Sequence, residues 1–458
     1  MTLKPKLQVT GYRGIWGESL NEQIAFEYAR SYAKMITSLP YSGGVRKVIV
    51  GRDARQTGSK IFESVREALE KENIEVVNAG IIPTPSILLL VNRLNLSGGI
   101  MITASHNPPE YNGVKFVAPG GRLTNESEVI TIEKFRNNLS EEEKIPSLSE
   151  IKDEKIDNKE FRKIHINEIL QNIDANLIRS KKFKVALDPI NSAGSIITQE
   201  LLRELNCQVY VINEEQNGNF THPPEPLPQN LNEIAEAVSQ SGSDIGFAQD
   251  PDADRLIVVD EKGVVISEEY TLALAIRNVS EHNPDSVVIN LSTSKMSEDI
   301  ARQYGREVIR TKVGEGNIVE KLVNVKGAIG GEGNGGVIYP KINTARDSLV
   351  GVGLILELMA KENKTIGDIV ASFPKYYMKK DKISVTEDLN LLYAKLKNNF
   401  SEAKTVELDG VYFNWPDSSW LHVRSSMTEP IIRIFGEAKT KDRINSLFEE
   451  VRLTLDSK

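Results

Sequence analysis

The sequence predicts an α/β fold: three related mixed-sheet α/β domains and a smaller C-terminal α+β domain, set around a central cleft. Three observations carry that expectation. An apolar strand running into a polar loop and then an amphipathic helix occurs three times along the chain. About 40 to 60 residues after each of these strands comes a second feature, strand, polar loop, strand. The last stretch has a different texture, with short strands and helices alternating quickly.

In chain order, the first unit opens at Val48 and enters a Gly/Asp loop, Gly51 to Gly58. Ile61, Phe62, Val65, Ala68 and Leu69 then recur at helical spacing on one face. The second repeats the plan from Val185, with Ile196, Ile197, Leu201 and Leu202 following, and the third from Val287, with Ile300 and Ala301 continuing a helix. Strands that are continuously apolar rather than alternating belong to mostly parallel sheets covered on both faces. The three strand–loop–strand features are Gly99 to Val117, Asp244 to Asp260 and Gly327 to Lys341. If the units share a fold, these loops lie at equivalent edges and can face one cleft. Ser140 to Lys163 is highly charged and reads as surface helices at the first boundary. Lys379 to Lys382 reads as a short polar break. After it, Leu389 to Leu396 and Ile444 to Leu455 look helical, and Val411 to Trp415, Trp420 to Val423 and Ile431 to Phe435 extended. The domain limits expected from this layout are 1–152, 153–258, 259–370 and 371–458.

The totals fit that division, because 458 residues exceed what one core accommodates. Hydrophobic residues make up 40% and charged residues 26%, ordinary values for a soluble globular protein. A formal net charge of −8 gives no support to binding nucleic acid or an anionic membrane in bulk, though a local basic pocket for phosphate is compatible with it. The single cysteine, Cys207, excludes an internal disulfide and any multi-cysteine zinc site; its apolar setting from Leu205 to Ile212 marks it as a packing thiol. With no apolar segment of signal-peptide or membrane-spanning length, the expected location is cytoplasmic.

Four loops carry chemistry. Ile100, Met101, Ile102 and Ala104 lead straight into Ser105. His106, Asn107, two prolines and an Asn-Gly turn follow before Val114 to Val117. A serine at the end of a strand, in a proline-stiffened loop, is presented at a fixed angle to solvent, as a nucleophile or covalent group carrier requires. Taken alone, the stretch also reads as an ordinary polar hairpin. Asp250, Asp252 and Asp254 crowd three carboxylates together, an arrangement that repels itself unless a cation neutralises it. Hard oxygen ligands without nearby His or Cys favour Mg²⁺ or Ca²⁺ over zinc. A calcium EF-hand competes, since Glu261 stands at its twelfth position, but Arg255 sits where a glycine is needed and the flanks are β-like. Three Asp with one phosphate oxygen suit Mg²⁺. Gly330 to Gly336 places Glu332 and Asn334 among glycines, where backbone can approach a ligand and side chains can bind hydroxyls. Arg424, Ser426, Thr428 and Arg433 lie on and just after a loop between two strands and combine two guanidiniums with two hydroxyls, the makings of a phosphate clamp. Arg13, Lys115, Arg255 and Lys312 add cations beside these loops, a pattern expected of an anion site.

Taken in order, these motifs resemble the α-D-phosphohexomutase family: phosphoglucomutases, phosphomannomutases and phosphoglucosamine mutases. The segments from Thr10 to Gly14, Gly51 to Gly58, Thr103 to Lys115, Asp250 to Arg255, Thr311 to Glu315, Gly331 to Gly336, Arg346–Asp347 and Arg424 to Pro430 are similar to that family's motifs across nearly the whole chain. The resemblance implies four domains round a cleft. It further implies that Ser105 carries a phosphoryl group and that Asp250, Asp252 and Asp254 hold Mg²⁺ together with a phosphoserine oxygen on Ser105. Glu332 would grip sugar hydroxyls, Arg424, Ser426, Thr428 and Arg433 the non-reacting phosphate, and Lys312, Gly331 and Asn334 would also bind substrate. Lys115, Arg13, Arg255 and His106 would serve the transferring group, with His106 orienting the loop or moving protons.

Two loops depart from the family pattern. Many members read Gly-Glu-x-Ser-Gly-His in the sugar loop, where this chain has Asn334 and Gly336, so any acid–base task of that histidine must fall elsewhere. Met427 stands where the phosphate loop usually has Gly or Asn, and its side chain must point away from the phosphate. The expected activity is interconversion of hexose 1- and 6-phosphates through phosphoserine and a hexose 1,6-bisphosphate, by a monomer or homodimer. The alternatives are a metal-dependent phosphomonoesterase using the same serine and an inactive sugar-phosphate sensor.

Overall fold

A computed structural model of the chain describes residues 6–144, 146, 156–384, 388–425 and 431–456. The first unit contributes β1 (Tyr12–Ile15), β2 (Lys47–Arg52), β3 (Glu75–Ile81), β4 (Gly98–Ile102), β5 (Tyr111–Ala118) and β6 (Arg122–Leu123). They form one sheet in the order β1-β5-β4-β2-β3, with β6 beside β5. β2 runs parallel to β3 and β4, while β5 turns back antiparallel to β4. Val48, Ile49 and Val50 are all fully buried, which explains the unbroken apolar run: helices cover both faces.

The next two units repeat this plan with fewer strands. β7 (Lys184–Asp188), β8 (Gln208–Val211), β9 (Ile245–Gln249) and β10 (Leu256–Val259) pair in the order β10-β9-β7-β8. β11 (Val287–Asn290), β12 (Val308–Thr311), β13 (Ile329–Glu332) and β14 (Gly336–Ile338) pair as β12-β11-β13-β14. In both sheets the central pairings are parallel and the last hairpin is antiparallel. The three chemistry-bearing loops are therefore the tips of equivalent hairpins, beyond the carboxyl ends of β4, β9 and β13, where open α/β sheets place ligand sites.

The helices that follow β2, β7 and β11 span Gly58–Glu70, Gly194–Glu204 and Lys295–Gln303. One continuous apolar core joins the second and third units, with the helix Ser348–Glu362 buried along nearly its whole length at its centre. Cys207 lies at this core's margin as a free buried thiol, and burial pushes it up to about 12, the behaviour of a packing residue. No helix among the described residues is long and apolar enough to cross a membrane.

The fourth sheet is antiparallel throughout: β15 (Tyr377–Ser384), β16 (Lys404–Val406), β17 (Val411–Asn414), β18 (Trp420–Ser425) and β19 (Ile431–Ala438), in the order β15-β19-β18-β17-β16. The helices Leu389–Asn399 and Lys441–Asp456 complete its core with Leu396, Phe400, Leu447 and Phe448. This corrects one expectation. Lys379 to Lys382 is no break but the middle of β15, an edge strand paired residue for residue with β19. Its charges are tolerated because only one side of the strand is paired, and lysines on an edge discourage further pairing. Of the charged stretch Ser140 to Lys163, the described parts hold a short 3₁₀ turn, Glu142–Lys144, and the start of the helix Lys159–Gln171.

Candidate active site

The Ser105 loop is held by a buried arginine. Arg55 donates to the carbonyl oxygens of Ser105 (2.7 Å), Asn107 (2.6 Å), Pro108 (2.7 Å) and Tyr111 (3.0 Å), and Asp53 Oδ2 holds its Nε at 3.1 Å. Thr103 bridges to the serine: its hydroxyl donates to Asp53 (2.7 Å) and accepts from Ser105 N–H (2.8 Å). Ser105 itself has φ +51°, a left-handed conformation that costs a non-glycine residue about 1–2 kcal/mol and persists only when its surroundings enforce it. The serine was expected to face solvent, and here the structure differs. Ser105 is 0% exposed, because the Asp250–Asp254 loop of the second unit closes over it.

The contact between the two loops is direct. Ser105 Oγ donates to Asp250 Oδ2 at 3.1 Å, and His106 Nδ1 lies 3.3 Å from the same hydroxyl. Asp250 Oδ1 accepts the backbone N–H groups of Asp254 and Arg255, both at 3.1 Å, which fixes the loop. Asp252 Oδ2 accepts from the Thr84 hydroxyl and from Lys115 Nζ, each at 2.5 Å. Asp254 Oδ2 accepts from Arg346 at 2.7 Å and from Lys115 at 3.4 Å. Burial and the two neighbouring carboxylates push Asp250 well above the usual range; burial also acts to raise Asp254, but Arg346, Lys115 and Arg255 outweigh it and bring it down. Ligand oxygens of the three aspartates lie within 4.8 Å of one another, and the buried Oδ1 atoms of Asp252 and Asp254 have no hydrogen-bond partner. Three buried carboxylates this close, two of them with an oxygen that accepts no hydrogen bond, are a set that can hold a metal ion. Glu261 stands apart, accepting from Gly367 N–H at 3.0 Å, which excludes the EF-hand reading.

Beside these loops lies a cavity of about 330 Å³ to which all four units contribute. Its wall includes His106 from the first, Arg255 and Glu225 from the second, Glu332 and Asn334 from the third, and Lys380, Arg424 and Arg433 from the fourth. Burial first, then Arg255 and Arg13, hold His106 well below its ordinary value, so its ring is neutral. Glu332 is tightly oriented. Its carboxylate accepts from Asn290 (3.0 Å), Gly314 N–H (3.2 Å), Asn334 (3.3 Å) and Arg346 (3.0 Å). Arg424 and Arg433 stand directly opposite each other in the β18–β19 register, with Asp409 3.1 Å from Arg424 Nε.

Residues 4–143, 163–263 and 267–377 match, in order, domains I, II and III described as phosphoglucomutase/phosphomannomutase, alpha/beta/alpha. A phosphoglucomutase/phosphomannomutase of Thermococcus kodakarensis is 36% identical over 446 residues, covering 96% of both chains. The chain belongs to the phosphoglucomutase/phosphomannomutase family. A phosphoglucosamine/phosphogalactosamine mutase of Sulfurisphaera tokodaii is 33% identical over 461 residues, covering 98% of each. The solved structure of a phosphoglucomutase/phosphomannomutase family protein from Burkholderia thailandensis shares the fold with a TM-score of 0.84 at 24% identity, covering 100% of this chain and 98% of that one.

Within this mutase fold, the structure brings Ser105, His106, Lys115, Arg255 and the three aspartates together. Arg13 joins through a 3.0 Å bond to Asn107 of the serine loop. Two expected residues sit elsewhere. Lys312 is exposed, and its neighbour Val313 lines the cavity instead. Gly331 is buried in β13 behind Glu332, with φ +156°; a Cβ there would meet Gly336 O at 2.1 Å, so the glycine serves the hairpin's close backbone approach. Ser426 and Thr428, and with them the orientation of Met427, lie outside the described residues. Thr84, Arg55 and Arg346 also hold these loops, although none stands out in the sequence as a site residue. Arg55 and Arg346 belong to quoted motifs, and that was the signal available for them; Thr84 had none.

Proposed function

We propose that the chain interconverts hexose 1-phosphates and hexose 6-phosphates through a phosphoryl group carried on Ser105 and a hexose 1,6-bisphosphate. The observation that carries this reading is the 3.1 Å approach of the Ser105 hydroxyl to Asp250, directly behind His106 and Arg255, which line the cavity together with Glu332 and the Arg424–Arg433 pair. The Asp250, Asp252 and Asp254 set fits Mg²⁺, which when bound supplies charge stabilisation to the transferring phosphoryl group. The sugar's free hydroxyl attacks phosphorus, the bond from phosphorus to Ser105 Oγ breaks, and the hydroxyl proton leaves to a base in the cleft. The proton passes to the freed Ser105 Oγ. The bisphosphate then turns over, Ser105 Oγ attacks its other phosphorus, the bond from that phosphorus to the sugar oxygen breaks, and the serine proton moves to that oxygen. Arg424 and Arg433 hold the distal phosphate in either orientation, and Glu332 accepts from sugar hydroxyls. His106 orients the serine, and Lys115 and Arg255 offset charge beside it.

The relatives' names span glucose, mannose and amino-sugar phosphates, which supports a site tolerant of several hexoses. The test supplies each hexose 1-phosphate with Mg²⁺ and a trace of bisphosphate and quantifies the 6-phosphate formed. Free phosphate appearing in step with substrate loss would instead show a phosphomonoesterase.

A further inference from the structure

Arg346 connects two loops that the sequence keeps far apart. Its Nη2 donates to Asp254 at 2.7 Å and its Nη1 to Glu332 at 3.0 Å, while Glu315 receives Nε at 3.1 Å and the backbone N–H at 2.9 Å. The guanidinium is thus a planar bridge from the metal-loop carboxylate to the sugar-loop carboxylate, both buried. Its course uses space that a side chain at 336 would need: a Cβ on Gly336 would stand 2.4 Å from Arg346 Cδ. The glycine and the arginine therefore form one arrangement. Behind it, Asp347 caps the helix Ser348–Glu362 and accepts from buried His165, which fixes where Arg346 leaves the backbone.

We propose that Arg346 is a positioning residue that couples the metal loop to the sugar loop, so that what Glu332 binds changes how tightly the three aspartates hold a divalent ion. The inference rests on the metal-dependent mutase reading above. The physical basis is competition for one cation. When Glu332 shares Arg346, the pull on Asp254 is divided; when Glu332 is lost, Arg346 turns more fully to Asp254 and opposes an incoming ion. Coupling of this kind is reciprocal between the two sites.

The experiment is direct Mn²⁺ binding to the purified protein without substrate, read by the free-ion electron paramagnetic resonance signal. It compares Glu332→Gln in the wild-type, Arg346→Gln and Arg346→Lys backgrounds, with thermal unfolding confirming that each variant is folded. In the wild-type background Glu332→Gln is expected to weaken Mn²⁺ binding about fivefold or more. In both Arg346 backgrounds the same change is expected to shift binding by less than roughly twofold. Arg346→Lys serves if Arg346→Gln fails to fold, because lysine keeps the charge but cannot bridge both carboxylates. An equal shift in all backgrounds, or none in the wild type, overturns the coupling. Absence of any Mn²⁺ binding by the wild-type protein overturns the metal reading itself.

Discussion

Lys115 Nζ and Asp252 Oδ2 meet at 2.5 Å across 137 residues of sequence, joining β5 of the first unit to the metal loop of the second in a fully buried ion pair. Burial acts to lower the lysine, but Asp252 and Asp254 outweigh it and hold the ammonium charged. The pair stitches two domains together and offsets part of the repulsion among three crowded carboxylates.

Removing the ammonium tests this. Lys115→Met leaves Asp252 without its cation, while Asp254 keeps Arg346, and breaking a buried pair in this way costs about 3–5 kcal/mol. Mg²⁺ is expected to restore much of the loss, because a ligand bound only by the folded state stabilises it. Thermal unfolding with and without Mg²⁺ checks it: the variant should gain more from the ion than the wild type does, and an equal gain refutes the account.

A second buried network holds three units together. His165 lies between Ser86 Oγ and Asp347 Oδ2, each at 2.8 Å, and all three side chains are 0% exposed. His165→Ala leaves a hydroxyl and a carboxylate buried without that partner, at a cost of roughly 2–5 kcal/mol. His165→Gln, which can still donate and accept, should recover part of it. The midpoints of denaturant unfolding measure both variants, and equal losses in the two would contradict a hydrogen-bonding role.

The edge of the cavity carries a pH signature. Burial pushes Glu269 from 4.5 up to about 8; Lys380 and the Ser294 N–H oppose this, and Glu268 and Glu437 add to it. The folded state thus holds a proton that the unfolded chain releases near 4.5. This contribution to stability is complete below about pH 4.5 and is lost progressively as pH rises to about 8. Glu269→Gln removes the dependence. Its thermal midpoint, relative to the wild type, should climb across that window and level off above it. A constant offset at all pH values would show that Glu269 does not titrate this way.

Much of the fold was legible because burial on both faces leaves a plain mark. Val48 to Val50 and Val287 to Ile289 are apolar without interruption, and each hairpin loop stands out between such strands. Polar edge pairing leaves no such mark, so β15 read as a break at Lys379 to Lys382. The helix Ser348–Glu362 is apolar nearly all round and shows no stripe to read. In the candidate site, Ser105 and the three aspartates stand out in the sequence because their local spacing alone suggests a chemistry. The burial of Ser105, Arg55 gripping four carbonyls and Arg346 bridging Asp254 to Glu332 depend on residues brought together only by folding, and no local pattern encodes them.

The central claim, that Ser105 carries the phosphoryl group beside the three aspartates, has a direct test. The purified protein and Ser105→Ala are each incubated with hexose 1,6-bisphosphate and Mg²⁺, mapped by peptide mass spectrometry, and assayed for exchange between the 1- and 6-phosphates. The expected result is phosphate on Ser105 of the wild type, and in the variant an unchanged thermal midpoint with turnover abolished. Near-normal turnover in Ser105→Ala, or phosphate found on another residue, would contradict it.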